Sequence, residues 1–275
     1  MPTTLTQLNV VTTDGGMRAG AGSVSPSAAS RSVTVIELAS QPRRSGSTRS
    51  AHCHHCPVEP SERRLERAFF EREVTAVARD LLGRIVVSGD GPDEVAVRLT
   101  EVEAYRGRDD SASHSFRGPT PRTAVMFGPG GHLYTYFVYG MHWCANIVTG
   151  PDGNASAVLL RAGEVVDGID LARSRRPAAR GDRFLARGPA GLATVLGLDG
   201  SDSGADLCLP DSTIRLHAGS PTPDTAIRTG PRVGVATAAD LQLRFWIADD
   251  PTVSAFRAWT PRRRSAGVAG RTSRG

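Results

Sequence analysis

Two short apolar runs, Leu133–Val138 and Trp143–Val148, are separated by only four residues, Tyr139-Gly140-Met141-His142. A connection this short joins neighbouring strands only as an antiparallel hairpin, because a parallel crossover needs a dozen residues or more. Around the hairpin, helical and strand-like segments alternate without a regular strand–helix–strand rhythm. Helical spacing joins Leu65, Phe69 and Phe70 after Ser61, a candidate cap, and then Val74, Val77, Ala78, Leu81 and Leu82 up to Gly83. Ile85–Val87 reads as a short strand, and Val95, Val97 and Leu99 alternate with Ala96 and Arg98 in a longer one. If that strand continues, Glu101, Glu103 and Tyr105 share one face. Residues 108–131 read as a long polar loop, Ala157–Arg161 as a strand, Val165–Arg175 as a helix, and Pro189–Leu196 as a helix ending at Gly197. Val233–Val235 and Leu243–Ile247 are expected as late strands. The fold class expected is mixed α+β (α/β): a single domain with a largely antiparallel curved sheet, a protruding β-hairpin and surrounding helices.

The ends differ in composition from the middle. Residues 1–60, rich in Ser, Thr, Gly, Ala and Arg, are expected to be a disordered extension, and 257–275 a basic disordered tail, leaving the domain at 61–256. The formal net charge is +5, but five Arg oppose three acids in the first sixty residues, and the tail holds six Arg and no acid. The middle is therefore left at about −3, and the basic balance belongs to the tails, which suit a nucleic-acid tether or plain solvation. The chain contains no lysine, so no lysine Schiff base can form. Four cysteines, Cys53, Cys56, Cys144 and Cys208, make no disulfide framework and fit a reducing compartment. Cys53-His-His-Cys56 has the look of a zinc knuckle but no second ligand pair nearby. No run of about 20 apolar residues is present, and the N-terminus lacks the pattern of a secretory signal, so no membrane partner is expected.

All four tyrosines, Tyr105, Tyr134, Tyr136 and Tyr139, lie within 105–139, and Glu103 precedes the first by two residues. Phenols beside a carboxylate suit a pocket that stacks and hydrogen-bonds a flat ligand. Glu103 alone could serve as a general base for water. Paired with Glu101, about 6–7 Å away along a strand, it could serve glycoside hydrolysis. His114 follows a polar loop and could be an exposed loop residue, a pocket wall or a hydrogen-bond partner; Glu103, His114 and His132 could together hold a metal, but at spacings that fit no standard ligand pattern. Tyr139 and Met141 flank Gly140 at the hairpin tip, where apolar side chains are costly unless they insert into something, such as the step between two DNA bases.

These residues come in runs that resemble the alkyladenine (3-methyladenine) DNA glycosylase family. They are Glu101-Val-Glu-Ala-Tyr105, Ser113-His-Ser115, Thr120-Pro-Arg122, Met126-Phe127, His132 through Asn146, Val158-Leu-Leu-Arg161, Gly188-Pro-Ala190, Arg232-Val-Gly-Val235 and Arg244-Phe-Trp246, in the family's order over roughly residues 62–256. The resemblance departs at Thr123 and Gly130, where Asn and Pro are common. It implies an enzyme that flips an alkylated or deaminated purine out of double-stranded DNA and hydrolyses its N-glycosidic bond. By the same resemblance Glu103 is the general base, Tyr105, His114 and Tyr136 enclose the flipped base, and Asn146 crowds the exocyclic amine of guanine. Val233 meets the base through its backbone, Tyr139 fills the gap in the duplex with Met141 beside it, and Arg161 lies near the catalytic water and the target phosphate. No cofactor and no metal are expected.

With no lysine available, only the N-terminus offers an amine, and Pro2 opens a segment expected to be disordered, so the reaction expected is monofunctional, leaving an abasic site. A catalytically silent damaged-DNA-binding module is the alternative: it keeps the tyrosines and the hairpin but needs no base at Glu103. A hydrolase of small nucleosides using Glu101 with Glu103 is a third reading, in which the apolar tip has no purpose. A monomer in the bacterial cytoplasm, associated with the nucleoid, is expected.

Overall fold

A long strand, β2 (Val95–Tyr105), is the spine of the molecule in the computed structural model, which describes residues 63–261. Along one side it pairs with β5 (Ser156–Asp167), and the other side is shared. Its first half pairs with β1 (Ile85–Ser88) and its second half, from Glu101 to Glu103, with β8 (Arg244–Ile247). The order is β3-β4-β5-β2-β1-β6, with β3 (Leu133–Val138), β4 (His142–Thr149) and β6 (Ile214–His217); β7 (Ile227–Gly230) pairs with β8. Every pairing between these strands is antiparallel. The register of β2 against β5 shifts near Ala96 and twice between Leu99 and Val102. Such bulges increase local twist and bend a strand, and here they curl the sheet.

The period of two along these strands assigns the two faces different work. Val102 and Ala104 of β2, Leu133 of β3, Ala145 and Ile147 of β4, and Val158 and Leu160 of β5 join the main core. The helices close that face: α2 (Val74–Leu81) packs against β2, and α4 (Pro189–Leu196) against β4 and β5. Each fully buried Leu, Ile or Val stabilises the fold by about 1.5–3 kcal/mol, so this face anchors the sheet. The intervening residues, among them Glu103, Tyr134, Tyr136, Asn146 and Arg161, face the other way, beneath the polar loop and the 231–238 segment. A smaller cluster of Met126, Tyr134, Val148, Ala155 and Ala157 fastens the polar loop to that second face.

Local signals explain the helices. The Glu73 side chain caps α2 by accepting from the N–H groups of Thr75 (2.8 Å) and Ala76 (3.0 Å). Pro189 opens α4, and Gly197 at φ +71° closes it, donating to Thr194 O. The short α1 (Arg67–Phe70) precedes α2, while the expected cap Ser61 lies outside the described residues, as do 1–60, the Cys53–Cys56 pair and most of the basic tail. Residues 257–261 are described, and the Arg257 carbonyl accepts from Gly234 N–H at 3.0 Å.

Two expectations about elements fail. Residues 165–167 continue β5, because Val165 pairs with Val97 in the ladder, and the helix α3 (Ile169–Arg175) begins only after Gly168, whose φ is +71°. Val233–Val235 is a turn, since the Val233 N–H is drawn to a side chain and not into a ladder. The hairpin forms as expected, but its connection is three residues long: Val138 pairs with His142. Met141 N–H donates to Val138 O, and the central residues Tyr139 and Gly140 have φ of +55° and +71°, the signs a primed turn requires.

Candidate active site

A cavity of about 640 Å³ opens on the sheet face opposite the main core, with Pro189 and Ala190 at the start of α4 reaching its edge. Strands β2 to β5 form its floor, the polar loop contributes Ser111–His114, and the segments 233–237 and 257–258 complete the rim. Glu103 lies at the floor with no exposed surface. Its Oε1 accepts from Val233 N–H at 2.7 Å and lies 3.2 Å from Arg161 Nη1, and its Oε2 accepts from Tyr105 Oη–H at 2.9 Å. A carboxylate offers about four acceptor positions; these contacts leave room for one more donor, such as a water.

Glu101, two residues earlier, is differently placed. Its Oε1 accepts from Arg161 Nε (2.9 Å), Arg244 Nε (2.7 Å) and Ser254 Oγ–H (3.0 Å), and its Oε2 from Ser254 N–H (2.7 Å). Glu101 does not line the cavity. A fully engaged carboxylate behind the wall offers no second catalytic group, so the geometry disfavours the two-carboxylate reading. Arg161 spans both acids, with Nη2 donating to Ser254 Oγ at 3.2 Å. Burial lowers its pKa, and the charges of Glu103 and Glu101 more than offset this and leave it raised.

Aromatic rings make the walls. His114 meets Tyr136 edge-on at 4.5 Å between centroids, and Tyr134 lies nearly parallel to Tyr136 at 5.9 Å. The Tyr134 hydroxyl is 3.0 Å from His114 Nδ1, so the buried Tyr134 positions His114. Partial burial, with the Arg122 charge, lowers the His114 pKa and favours the neutral ring. Burial and the Glu103 charge push the Tyr105 phenol well up, and burial with the neighbouring Cys144 does the same for Tyr136. The phenols therefore act as neutral donors. Asn146 is buried and donates from Nδ2 to Tyr134 O at 3.2 Å, which fixes the orientation of its amide in the wall.

The structure brings Glu103, Tyr105, His114, Tyr136, Asn146, Val233, Arg161 and Tyr139 to one cavity. Met141 is not part of its lining; it stands at the hairpin tip, 66% exposed, beside Tyr139 at 76% and Phe137 at 50%. His132 lies away from the cavity, with Nδ1 3.0 Å from Pro129 O and Nε2 3.7 Å from Asp206. Among the described residues no group of three His, Cys, Asp or Glu is placed to hold a metal ion, and no helix is long and apolar enough to cross a membrane.

Sequence reasoning gave no role to Arg232 or Asp110. Arg232 is fully buried, holds Asp110 with both terminal nitrogens, and lies over the Tyr105 ring at 4.5 Å. This clamp ties the polar loop to the segment that carries Val233, and so fixes two walls at once. Position next to Val233 was the only signal for Arg232; nothing in the sequence paired it with Asp110.

The family model for methylpurine-DNA glycosylase (MPG) matches residues 68–251. The chain belongs to the methylpurine-DNA glycosylase family. Relatives named "Putative 3-methyladenine DNA glycosylase" match most of this chain. That of Streptomyces avermitilis is 54% identical over 209 residues, 74% of this chain and 97% of the relative. That of Nocardia farcinica is 56% identical over 185 residues, 66% of this chain and 85% of the relative. That of Burkholderia lata is 45% identical over 190 residues, 69% of this chain and 90% of the relative. Membership makes the chain a hydrolase acting on N-glycosyl bonds, and Glu103, with all of the cavity lining except Arg257 and Ala258, lies within the matched span.

Proposed function

We propose that this glycosylase is monofunctional and removes alkylated or deaminated purines from double-stranded DNA by way of a flipped nucleotide. The observation that carries the reading is Glu103, buried on the floor of an aromatic-walled cavity and held there by Arg161, Tyr105 and the Val233 N–H. The damaged base enters between Tyr105, His114 and Tyr136, whose faces attract a cationic alkylpurine. A water held by Glu103 gives its proton to the carboxylate as its oxygen bonds to the anomeric carbon. The bond from that carbon to the purine nitrogen breaks, and the electron pair leaves with the base. An alkylpurine that starts as a cation departs neutral and needs little acid assistance. Arg161, Tyr105 and the Val233 N–H hold the carboxylate in place. The fixed amide of Asn146 crowds the exocyclic amine of normal guanine. Tyr139, with Met141 beside it, fills the space that the flipped nucleotide leaves in the duplex. No lysine can form a Schiff base, so the product is an abasic site in an uncut strand.

The test is incubation with duplexes each carrying one lesion (hypoxanthine, ethenoadenine or a methylpurine), followed by detection of free base and of abasic sites. Base release without strand cleavage is expected for at least one lesion. Binding with no release across the series would instead make the chain a silent damage-binding module.

A further inference from the structure

Two arginines line the cavity, Arg161 and Arg257, and their surroundings are opposite. Arg161 is 7% exposed by side chain and is engaged by Glu101, Glu103 and Ser254. Arg257 is exposed at the rim and has no ion-pair partner among the described residues. Its backbone is nevertheless fixed. The Arg257 carbonyl accepts from Gly234 N–H at 3.0 Å, next to Val233, which donates to Glu103. Three residues earlier, Ser254 is pinned through its N–H and hydroxyl to Glu101. The segment 254–257 thus runs from the buried carboxylate cluster to the mouth and ends on Arg257, which is exposed and without an ion-pair partner among the described residues.

A nucleotide whose base occupies the cavity must leave its phosphates at the mouth, because the backbone stays continuous with the duplex. Guanidinium binds phosphate oxygens bidentately. Resting on the proposed base-flipping function, we propose that Arg257 forms a phosphate-binding site at the rim and clamps the backbone of the extruded nucleotide. Arg161 sits deeper in the cavity, held to the two carboxylates, whereas Arg257 stands at the rim. The cation is pre-positioned by main-chain bonds, so its side chain can be changed without removing the bonds that fix the segment.

The full-length chain and its Arg257→Ala and Arg257→Lys variants are titrated with a duplex carrying one ethenoadenine, at several salt concentrations, and single-turnover base release is measured at saturating protein. Arg257→Ala is expected to bind about tenfold more weakly, the loss of one charged hydrogen-bonded contact. The slope of log affinity against log salt should become shallower by about 0.9. Arg257→Lys should restore the slope. Thermal melting checks that both variants are folded. Unchanged affinity and slope in Arg257→Ala would overturn the proposal, as would loss confined to the saturated rate. If the wild-type chain releases no base from any lesion, the catalytic reading fails, while the salt slope still reports on the phosphate site.

Discussion

Two glutamates two residues apart on one strand have separate fates, and the difference lies in what surrounds each. Glu101 is sealed behind the cavity wall by two arginines and Ser254, whereas Glu103 meets one arginine, a phenol and a backbone N–H and faces the cavity. Glu101→Gln therefore leaves Arg161 and Arg244 short of a buried counter-charge and is expected to cost about 3–5 kcal/mol, read as a lowered midpoint in chemical denaturation; an unchanged midpoint would show that the cluster is not structural. The Arg232–Asp110 clamp makes a pH prediction. Burial raises the Asp110 pKa, but the Arg232 hydrogen bonds and charge outweigh it and leave it below the ordinary carboxylate value. Between those two values the unfolded chain binds more protons than the native one, so stability rises with pH there. The clamp's contribution is complete above about pH 4 and is lost as pH falls below it. Asp110→Asn should lower stability at neutral pH and flatten the acid side of the stability profile, and a variant with the wild-type profile would contradict this.

At the scale of elements, the hairpin is built for something other than its own stability. Tyr139 holds a positive φ, which is uncommon for a side chain of its size, and exposes an aromatic ring at the tip. Glycine would take that conformation without strain. Tyr139→Gly is accordingly expected to leave the melting temperature nearly unchanged while slowing excision from duplex DNA at least about tenfold, the equivalent of about 1.4 kcal/mol. Excision from single-stranded DNA, which has no stack to fill, should fall much less. Equal losses on both substrates would assign Tyr139 to the cavity wall and not to the duplex. The hairpin was legible because its pattern is local: two apolar runs and a short connection. Likewise, α4 was marked by Pro189 and Gly197 at its ends. By contrast, β6 and β7 are four residues each, and β7 carries Arg228 and Thr229 exposed; they are strands only because β1 and β8 lie beside them. Val165 was misread as helical because an apolar pair before Asp167 fits either period until a partner strand is known.

For the molecule as a whole, alternation along four strands puts a helix-covered core on one face of the sheet and the polar residues of the site on the other. That division was partly visible in the sequence: Glu101, Glu103 and Tyr105 were expected on one face, and the tyrosines beside them. The sequence did not show which carboxylate the cavity reaches, because that depends on Arg244 and Ser254, 143 and 153 residues from Glu101. Nor did it show the clamp between positions 122 residues apart. Spacing can assign a residue to a face, but its partners across the fold follow from packing alone. The central claim is that Glu103 activates the water, and the comparison of wild type with Glu103→Gln on a duplex carrying one ethenoadenine tests it most directly. Single-turnover base release and equilibrium binding are measured side by side. Release should fall by at least about 100-fold, the range for loss of a general base, with affinity for the lesion duplex retained; release at the wild-type rate would contradict the account.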